Sequence, residues 1–184
     1  MTIRTVGSGK DYSNLSTAIG ALNDGDTIII YAGTYTDNHV GLYKDDITFR
    51  CATGSDGEFE TVLISGASGP SSTQDSYTIH SYGNNTTYEN LTFTGLRYVP
   101  SRPGSTDSYR IRMSGCLVYD CGNVDNESTI TLGGNIGTFT ASLDSCTIFN
   151  MMGSAVSSYA STAGPIEIYN CLIVNDDPAD EVVN

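Results

Sequence analysis

Side chains that could perform acid–base chemistry are few in this chain and do not form a recognisable cluster. The two histidines, His39 and His80, stand alone. Arg112 and Asp120 flank one β-prone segment, where an exposed base and acid could approach each other and move a proton, and Arg110 lies two residues earlier. These are the first positions to mutate, but they form no paired-carboxylate site. We therefore predict no catalytic residue and no bound cofactor.

Metal chemistry is equally weakly supported. Asp176 and Asp177 lie beyond the last repeat, where no wall would complete a cleft. The acidic tail to which they belong, residues 176–184, would discourage strand addition at the end of a sheet, and cation binding is the open alternative. The five cysteines include no CxxC pair and no neighbouring histidines, so we predict no zinc or other metal site.

One phrase returns three times in the second half of the chain and explains most of the pattern. It occupies residues 112–120, 142–150 and 167–175, and a weaker copy occupies 87–95. Aligned on Leu91, Cys116, Cys146 and Cys171, the copies are 25, 30 and 25 residues apart. A repeat of that length is typical of a solenoid.

Each copy reads as two short strands joined by a sharp bend. Alternate residues of a strand face one side, so three columns of residues are predicted to point inward: Tyr88, Met113, Leu143 and Ile168; Leu91, Cys116, Cys146 and Cys171; Phe93, Val118, Ile148 and Ile173. The bend positions are Asn90, Gly115, Ser145 and Asn170. Asn and Gly tolerate the left-handed backbone that such a bend needs, and Ser145 fits least well.

A third strand should close each coil. Residues 77–81, 129–132 and 154–158 are short, β-prone and follow Gly- or Ser-rich turns. Coils of about 25 residues with three strands are the rungs of a parallel β-helix. The alternative is a β-sandwich whose internal similarity is accidental.

The N-terminal region predicts a cap for this solenoid. Residues 11–24 form the best helix, because Leu15, Ala18, Ile19 and Leu22 fall on one apolar face. We predict Ser13 as its N-cap and Gly25 as its end. The predicted organisation is one all-β domain over 1–184, with a capping helix at 11–24, rungs at 26–175 and the acidic tail at 176–184.

The same region carries a family resemblance. Tyr12, the apolar helix over 15–22 and the segment 25–35 resemble the opening of right-handed β-helix proteins of the pectin-lyase-like superfamily, and residues 45–49, 61–66 and 89–93 continue it in the family's order. The resemblance implies the fold over nearly the whole chain. It says little about function, because one fold hosts many functions.

The catalytic motifs that the resemblance would imply are not found. Pectin methylesterases of this superfamily carry a Gln-Asp-Thr-Leu-Tyr phrase that residues 97–112 lack, and Gln74 is the only glutamine. Polygalacturonase-like motifs are also missing. Pectate lyases add a calcium-binding Asp cluster to an Arg base, and no such cluster can be assigned to the face of Arg110 and Arg112. If the chain is an enzyme, the resemblance implies a polysaccharide lyase or glycoside hydrolase.

Charge and hydropathy narrow the classes of partner. The chain has a net charge of −13, which argues against binding nucleic acid through phosphates and would repel polyuronates unless a basic patch or calcium intervened. No apolar segment is long enough to span a membrane, and no secretory signal is evident at Met1. We expect Cys116, Cys146 and Cys171 to act as small buried apolar residues and Cys121 to lie exposed at a turn.

These observations favour a non-catalytic structural role. Short β-helices of this kind resemble bacteriophage virion parts, so we predict a virion protein, made in the host cytoplasm, that decorates or cements a capsid or forms part of a tail spike. We expect a homotrimer that contacts capsid or tail proteins through its C-terminal end and the loop at 100–104. The alternatives are a carbohydrate-active β-helix that binds or cleaves surface glycan, and a fragment of a longer spike.

Overall fold

The computed structural model of the protein describes residues 1–36, 40–66, 79–96, 99, 109–122, 130–131, 139–150, 155–157 and 163–174. His39, the predicted loop at 100–104 and the predicted tail at 176–184 lie outside these residues, and the side chain of His80 is not described. No helix in the described ranges is long and apolar enough to cross a membrane.

The described residues form seventeen strands and one short helix. In chain order these are β1 (Ile3–Val6), α1 (Leu15–Gly20), β2 (Thr27–Ile30), β3 (Gly33–Tyr35), β4 (Val40–Leu42), β5 (Thr48–Cys51), β6 (Val62–Ser65), β7 (Ile79–Ser81), β8 (Thr86–Glu89), β9 (Thr92–Thr94), β10 (Tyr109–Ser114), β11 (Leu117–Tyr119), β12 (Ile130–Thr131), β13 (Phe139–Asp144), β14 (Thr147–Phe149), β15 (Val156–Ser157), β16 (Ala163–Tyr169) and β17 (Leu172–Val174).

The strands stack into sheets that run along one solenoid. A seven-stranded sheet has the order β1-β2-β5-β8-β10-β13-β16, and a six-stranded sheet has the order β3-β6-β9-β11-β14-β17. The pairs β4–β7 and β12–β15 form further two-stranded sheets. Every pair of named strands is parallel. The chain is therefore a right-handed parallel β-helix, as the repeat predicted.

The third strands of the rungs lie where the sequence placed them. β7, β12 and β15 fall inside the predicted segments 77–81, 129–132 and 154–158. β12 pairs with β15 in parallel, through Ile130 with Val156. Two rungs of different length thus meet in register, because the solenoid aligns strands by their pairing and not by their separation in sequence.

The core consists of the predicted inward columns. The register aligns Phe49 with Tyr88, and Tyr88 in turn with Met113. Both aromatic side chains are fully buried, and their rings stack with centroids 5.3 Å apart. The rings of Phe93 and Tyr88 pack edge to face, with their centroids 6.0 Å apart. Apolar burial along these columns is the main source of stability, and aromatic contacts of this geometry add to it.

The bends between the two large sheets confirm the predicted turn positions. Asn90, Gly115, Ser145 and Asn170 have φ values of 55°, 61°, 55° and 52°. Hydrogen bonds connect the rungs here, for example from the Asn90 amide to the Ser114 carbonyl at 2.8 Å. A Cβ at Gly115 would lie 2.1 Å from Oδ1 of Asn90, so a larger residue here would force the Asn90 side chain to move.

The N-terminal cap differs from the prediction in its bounds. The helix spans only Leu15–Gly20, so the expected range of 11–24 was wrong. Asn14, not Ser13, is the N-cap, because its side chain accepts a hydrogen bond from the Thr17 amide at 2.9 Å. Gly25 does not end the helix; it forms the left-handed turn, with φ of 79°, that leads into β2. The residues just before the helix pair with β1 instead of continuing the helix, because the Tyr12 amide donates a hydrogen bond to the Thr5 carbonyl.

A buried carboxylate ties this cap to the first strands. Asp26 is 1% exposed and accepts hydrogen bonds from the Thr2 amide at 2.7 Å, the Asn23 amide at 3.0 Å and Nε of Arg4 at 3.1 Å. The Asn23 amide is the largest cause that lowers the pKa of Asp26, and the Thr2 amide and the Arg4 guanidinium lower it further. A charge this deeply buried persists only because it is fully hydrogen-bonded.

Candidate functional site

The outer face of the seven-stranded sheet carries a shallow groove. It has a volume of about 290 Å³. We call it the arginine groove, and its lining residues are Asp46, Thr48, Asn85, Thr86, Thr87, Arg110 and Arg112. The register places Arg112 beside Thr87, and Thr87 beside Thr48, on three consecutive strands. The groove is therefore formed by residues of three stacked rungs that are far apart in the sequence.

Both arginines of the groove point to solvent. Arg110 and Arg112 alternate with the buried Ile111 along β10, so the strand itself holds the two guanidinium groups on one face. Nε of Arg110 donates to Oγ1 of Thr140 at 3.1 Å, which orients one of them. The Arg4–Asp26 pair is the one ion pair among the described residues. The guanidinium groups of the groove are thus available for an anionic ligand.

The floor of the groove is built from hydrogen-bonding groups without a large apolar surface. Nδ2 of Asn85 donates to Oδ1 of Asp46 at 2.7 Å, which fixes the orientation of that amide. Thr48 and Thr87 add hydroxyl groups from neighbouring strands. Guanidinium, amide and hydroxyl groups on a flat sheet can bind carboxylate and hydroxyl oxygens together. This combination suits an acidic, hydroxyl-rich ligand.

Acidic residues continue the same face beyond the groove. An adjoining depression of about 470 Å³ includes Glu89, Asp144 and Glu167 beside Arg110 and Arg112. The register puts Ser114 between Glu89 and Asp144, so their backbones are about 9.6 Å apart, two strand spacings. Both side chains are partly exposed on a face that does not exclude water. We assign them no catalytic role.

The structure does not bring the predicted acid–base candidates together. Arg112 lies on the outer face of the seven-stranded sheet, whereas Asp120 lies in the bend that follows β11 of the six-stranded sheet. Asp120 occupies a left-handed bend with φ of 51° and accepts a hydrogen bond from the side chain of Asn150. The expectation that Arg112 and Asp120 could approach each other was therefore wrong. Asp120 is a turn residue because a carboxylate or amide side chain stabilises such a bend locally.

The outer face of the six-stranded sheet has the opposite character. We call it the uncharged face, and it comprises two outward columns: Thr34, Leu63, Thr92, Leu117, Thr147 and Leu172; Ser65, Thr94, Tyr119, Phe149 and Val174. None of these residues is charged, although the chain as a whole carries 29 charged residues. The rings of Tyr119 and Phe149 stack at 5.4 Å, and Phe149, Leu172 and Val174 are 37%, 58% and 41% exposed.

Three cysteines line the interior in a row. We call Cys116, Cys146 and Cys171 the cysteine column. All are free thiols, the first two are buried and Cys171 is partly buried, so the prediction of an inward column is confirmed. Backbone hydrogen bonds from Thr147 to Cys116 and from Leu172 to Cys146, both of 2.9 Å, place the three cysteines on consecutive rungs.

The other two cysteines are also buried. The expected exposure of Cys121 was wrong: its side chain is fully buried, and Sγ donates to the Tyr119 carbonyl at 3.2 Å. Burial raises the pKa of Cys121 to about 12, so this thiol is chemically inert at neutral pH. Cys51 points into the core and donates to the Glu60 carbonyl at 2.8 Å.

Metal binding finds no support in the described ranges. There, no three His, Cys, Asp or Glu side chains converge in a way that could hold a metal ion. The cysteine column does not qualify, because ligands in a line on successive rungs cannot surround one ion as a tetrahedral site requires.

Comparison with known proteins supports the fold and little more. No protein-family model and no curated protein sequence matches the chain. Among solved structures, the pectin methylesterase PemA from Erwinia chrysanthemi is 12% identical, with 96% of this chain and 67% of that chain covered and a TM-score of 0.51. A pectin methylesterase from Aspergillus niger is 14% identical, with coverage of 99% and 89% and a TM-score of 0.43. The chain thus shares its fold with a carbohydrate-active enzyme.

Part of the arginine groove could be predicted from the sequence. Alternation along β10 already indicated that Arg110 and Arg112 share a face. It did not show that Thr48 and Asn85 join them, because these residues are 64 and 27 positions from Arg112.

Proposed function

We propose that this chain is a carbohydrate-binding β-helix that binds an acidic glycan in the arginine groove. The observation that supports the proposal best is the pair Arg110 and Arg112, which share one face and form no ion pair with the described residues. Their surroundings are threonine hydroxyl groups, the Asn85 amide and the Asp46 carboxylate that accepts from that amide, all groups that can bind sugar hydroxyls. PemA, whose name says that it acts on pectin, supplies the ligand class.

The net negative charge of the chain does not prevent it from binding an acidic glycan. A net charge of −13 repels a polyanion at long range, but repulsion between exposed charges is largely screened beyond about 8 Å at physiological salt. Direct hydrogen bonds to a guanidinium act at about 3 Å and are less affected. Binding should therefore be local, weak and specific to the groove.

The test is a titration of the full chain with oligogalacturonate. An uncharged oligosaccharide of galactose serves as the comparison ligand. Arg110→Gln and Arg112→Gln should each weaken binding by roughly 10-fold or more, since a hydrogen bond to a charged group contributes about 1.5–3 kcal/mol. Arg50→Gln is the matched control, because Arg50 lies on the outer face of the same sheet beside Glu89 and outside the groove.

Two results would reject the proposal. One is that the wild-type chain binds neither oligogalacturonate nor another acidic oligosaccharide such as alginate. The other is that Arg50→Gln weakens binding as much as the two groove variants do. The length of the polymer should also be followed during the titration, and we expect no cleavage. A fall in polymer length that Glu89→Gln or Asp144→Asn abolishes would show an enzyme instead.

A second candidate function is a virion structural protein, and the uncharged face is the observation that favours it. We propose that this face, or the C-terminal end of the solenoid, contacts sister subunits in a trimer or a capsid or tail protein. A partly apolar surface that avoids all charge in an acidic chain suits a protein partner. Light scattering tests the idea: Phe149→Lys should abolish association, whereas the control Ser142→Lys, on the outer face of the seven-stranded sheet, should not. The idea would be rejected if the chain is a monomer and also fails to bind virions that lack this protein.

A further inference from the structure

The cysteine column places three thiols in one row on consecutive rungs of the solenoid. Sγ of Cys171 donates to the Tyr169 carbonyl at 3.1 Å, and Sγ of Cys146 donates to the Asp144 carbonyl at 3.4 Å, so the two side chains have the same orientation. Neighbouring strands are about 4.8 Å apart, within the 4.4–6.8 Å that separates the Cα atoms of a disulfide. The row therefore has the spacing for a bond between adjacent rungs.

The two possible pairs are not equivalent. Cys116 and Cys146 are each 1% exposed and lie on rungs that have neighbours on both sides. Cys171 is partly exposed and lies between β16 and β17, which end their sheets. A disulfide needs Cβ atoms roughly 3.5–4.5 Å apart, slightly less than the strand spacing. Among the described strands, β16 and β17 each pair on one side only, so their rung can make that small shift.

We propose that Cys171 and Cys146 form a thiol–disulfide exchange site that reacts with small disulfides of the glutathione class. The Cys171 thiolate attacks one sulfur of the small disulfide and expels the first thiolate, which takes up the proton that Cys171 lost. The Cys146 thiolate then attacks Sγ of Cys171 and expels the second thiolate, which takes up the proton that Cys146 lost. Two protein thiols are oxidised to one disulfide, and one small disulfide is reduced to two thiols.

The environment of Cys146 suits the second step. A hydrogen bond from the Cys116 thiol, aided by a weaker one from Cys171, lowers the pKa of Cys146 to about 7. The same contact with Cys146, together with burial, raises the pKa of Cys116. The contact between the two thiols therefore favours ionisation of Cys146 over ionisation of Cys116. The product would tie the last described rung to the one before it.

The experiment treats the folded full chain with oxidised glutathione, stops the reaction with acid, alkylates free thiols and maps the bonds by mass spectrometry. We expect the wild type to lose two thiols, retain no glutathione and link Cys146 to Cys171. Cys146→Ala should retain one glutathione on Cys171, at least 10-fold more than the wild type. Cys171→Ala should react at least 10-fold more slowly. Cys121→Ala is the matched control and should behave as the wild type.

Other outcomes would overturn the proposal. They are a Cys116–Cys146 bond, a stable glutathione adduct on the wild type, or a Cys171→Ala variant that reacts as fast as the wild type. Glutathione on Cys121 of the wild type would do the same, because that residue becomes accessible only when the chain unfolds. Cys171→Ser serves as a second variant, and its melting temperature shows whether slow reaction reflects the missing thiol or an altered fold.

Discussion

The ring of Tyr88 stacks on that of Phe49 with an interplanar angle of 8°, yet its hydroxyl group has no hydrogen-bond partner in the described part of the chain. Burial raises the pKa of Tyr88 far above its ordinary value, so the hydroxyl stays protonated and gains nothing from ionisation. The side chain of Tyr88 is thus held by the contacts of its ring alone. Burying its hydroxyl group without a hydrogen-bond partner costs free energy.

Tyr88→Phe should therefore stabilise the protein. Removing an unsatisfied buried hydroxyl while keeping the ring should raise the free energy of unfolding by about 1 kcal/mol. Tyr88→Leu is the control, and it should destabilise because it removes the stacked ring. Urea denaturation measures both. A loss of stability in Tyr88→Phe would show that the hydroxyl has a partner in the folded chain.

Asp26 makes the stability of the cap depend on pH. Its pKa is lowered in the folded state, so its contribution is fully present above the unfolded pKa of about 3.9 and is lost as pH falls through the lower folded value. Asp26→Asn should lower the free energy of unfolding at pH 7 by roughly 2–4 kcal/mol, since it breaks a buried charged network. It should also flatten the pH dependence below pH 4. An unchanged acid transition would contradict this role.

The bend residues predict opposite effects at two equivalent positions. Ser145→Asn should raise the free energy of unfolding by about 0.5 kcal/mol, because Asn tolerates the left-handed backbone better than Ser does. Gly115→Ala should lower it by at least 1–2 kcal/mol, because the new Cβ is strained at φ of 61° and collides with Asn90. Thermal melting checks both. Equal effects at the two positions would contradict the stacked-bend interpretation.

Placing a charged residue in the inward columns should cost less free energy of unfolding at the last described rung than at the rung before it. Leu143→Asp buries an unpaired charge on β13, which has a paired strand on each side, and should cost more than 4 kcal/mol. Ile168→Asp should cost less, roughly 2–3 kcal/mol, because Ile168 is only partly buried. Ser142→Asp is the control on the outward face and should be close to neutral. Wild-type melting of Ile168→Asp would reject its inward assignment.

The sequence by itself determined the repeating half of this protein. Alternation has a period of two, and a left-handed bend favours Asn or Gly, so one phrase was enough to place Cys146 inward and Asn170 at a turn. The tertiary structure alone decided what lies between rungs. Thr48 meets Thr87 across 39 residues, whereas Thr87 meets Arg112 across 25. Strand pairing aligns such rungs whatever their length, and for that reason the arginine groove, the burial of Cys121 and the separation of Arg112 from Asp120 could not be predicted from spacing.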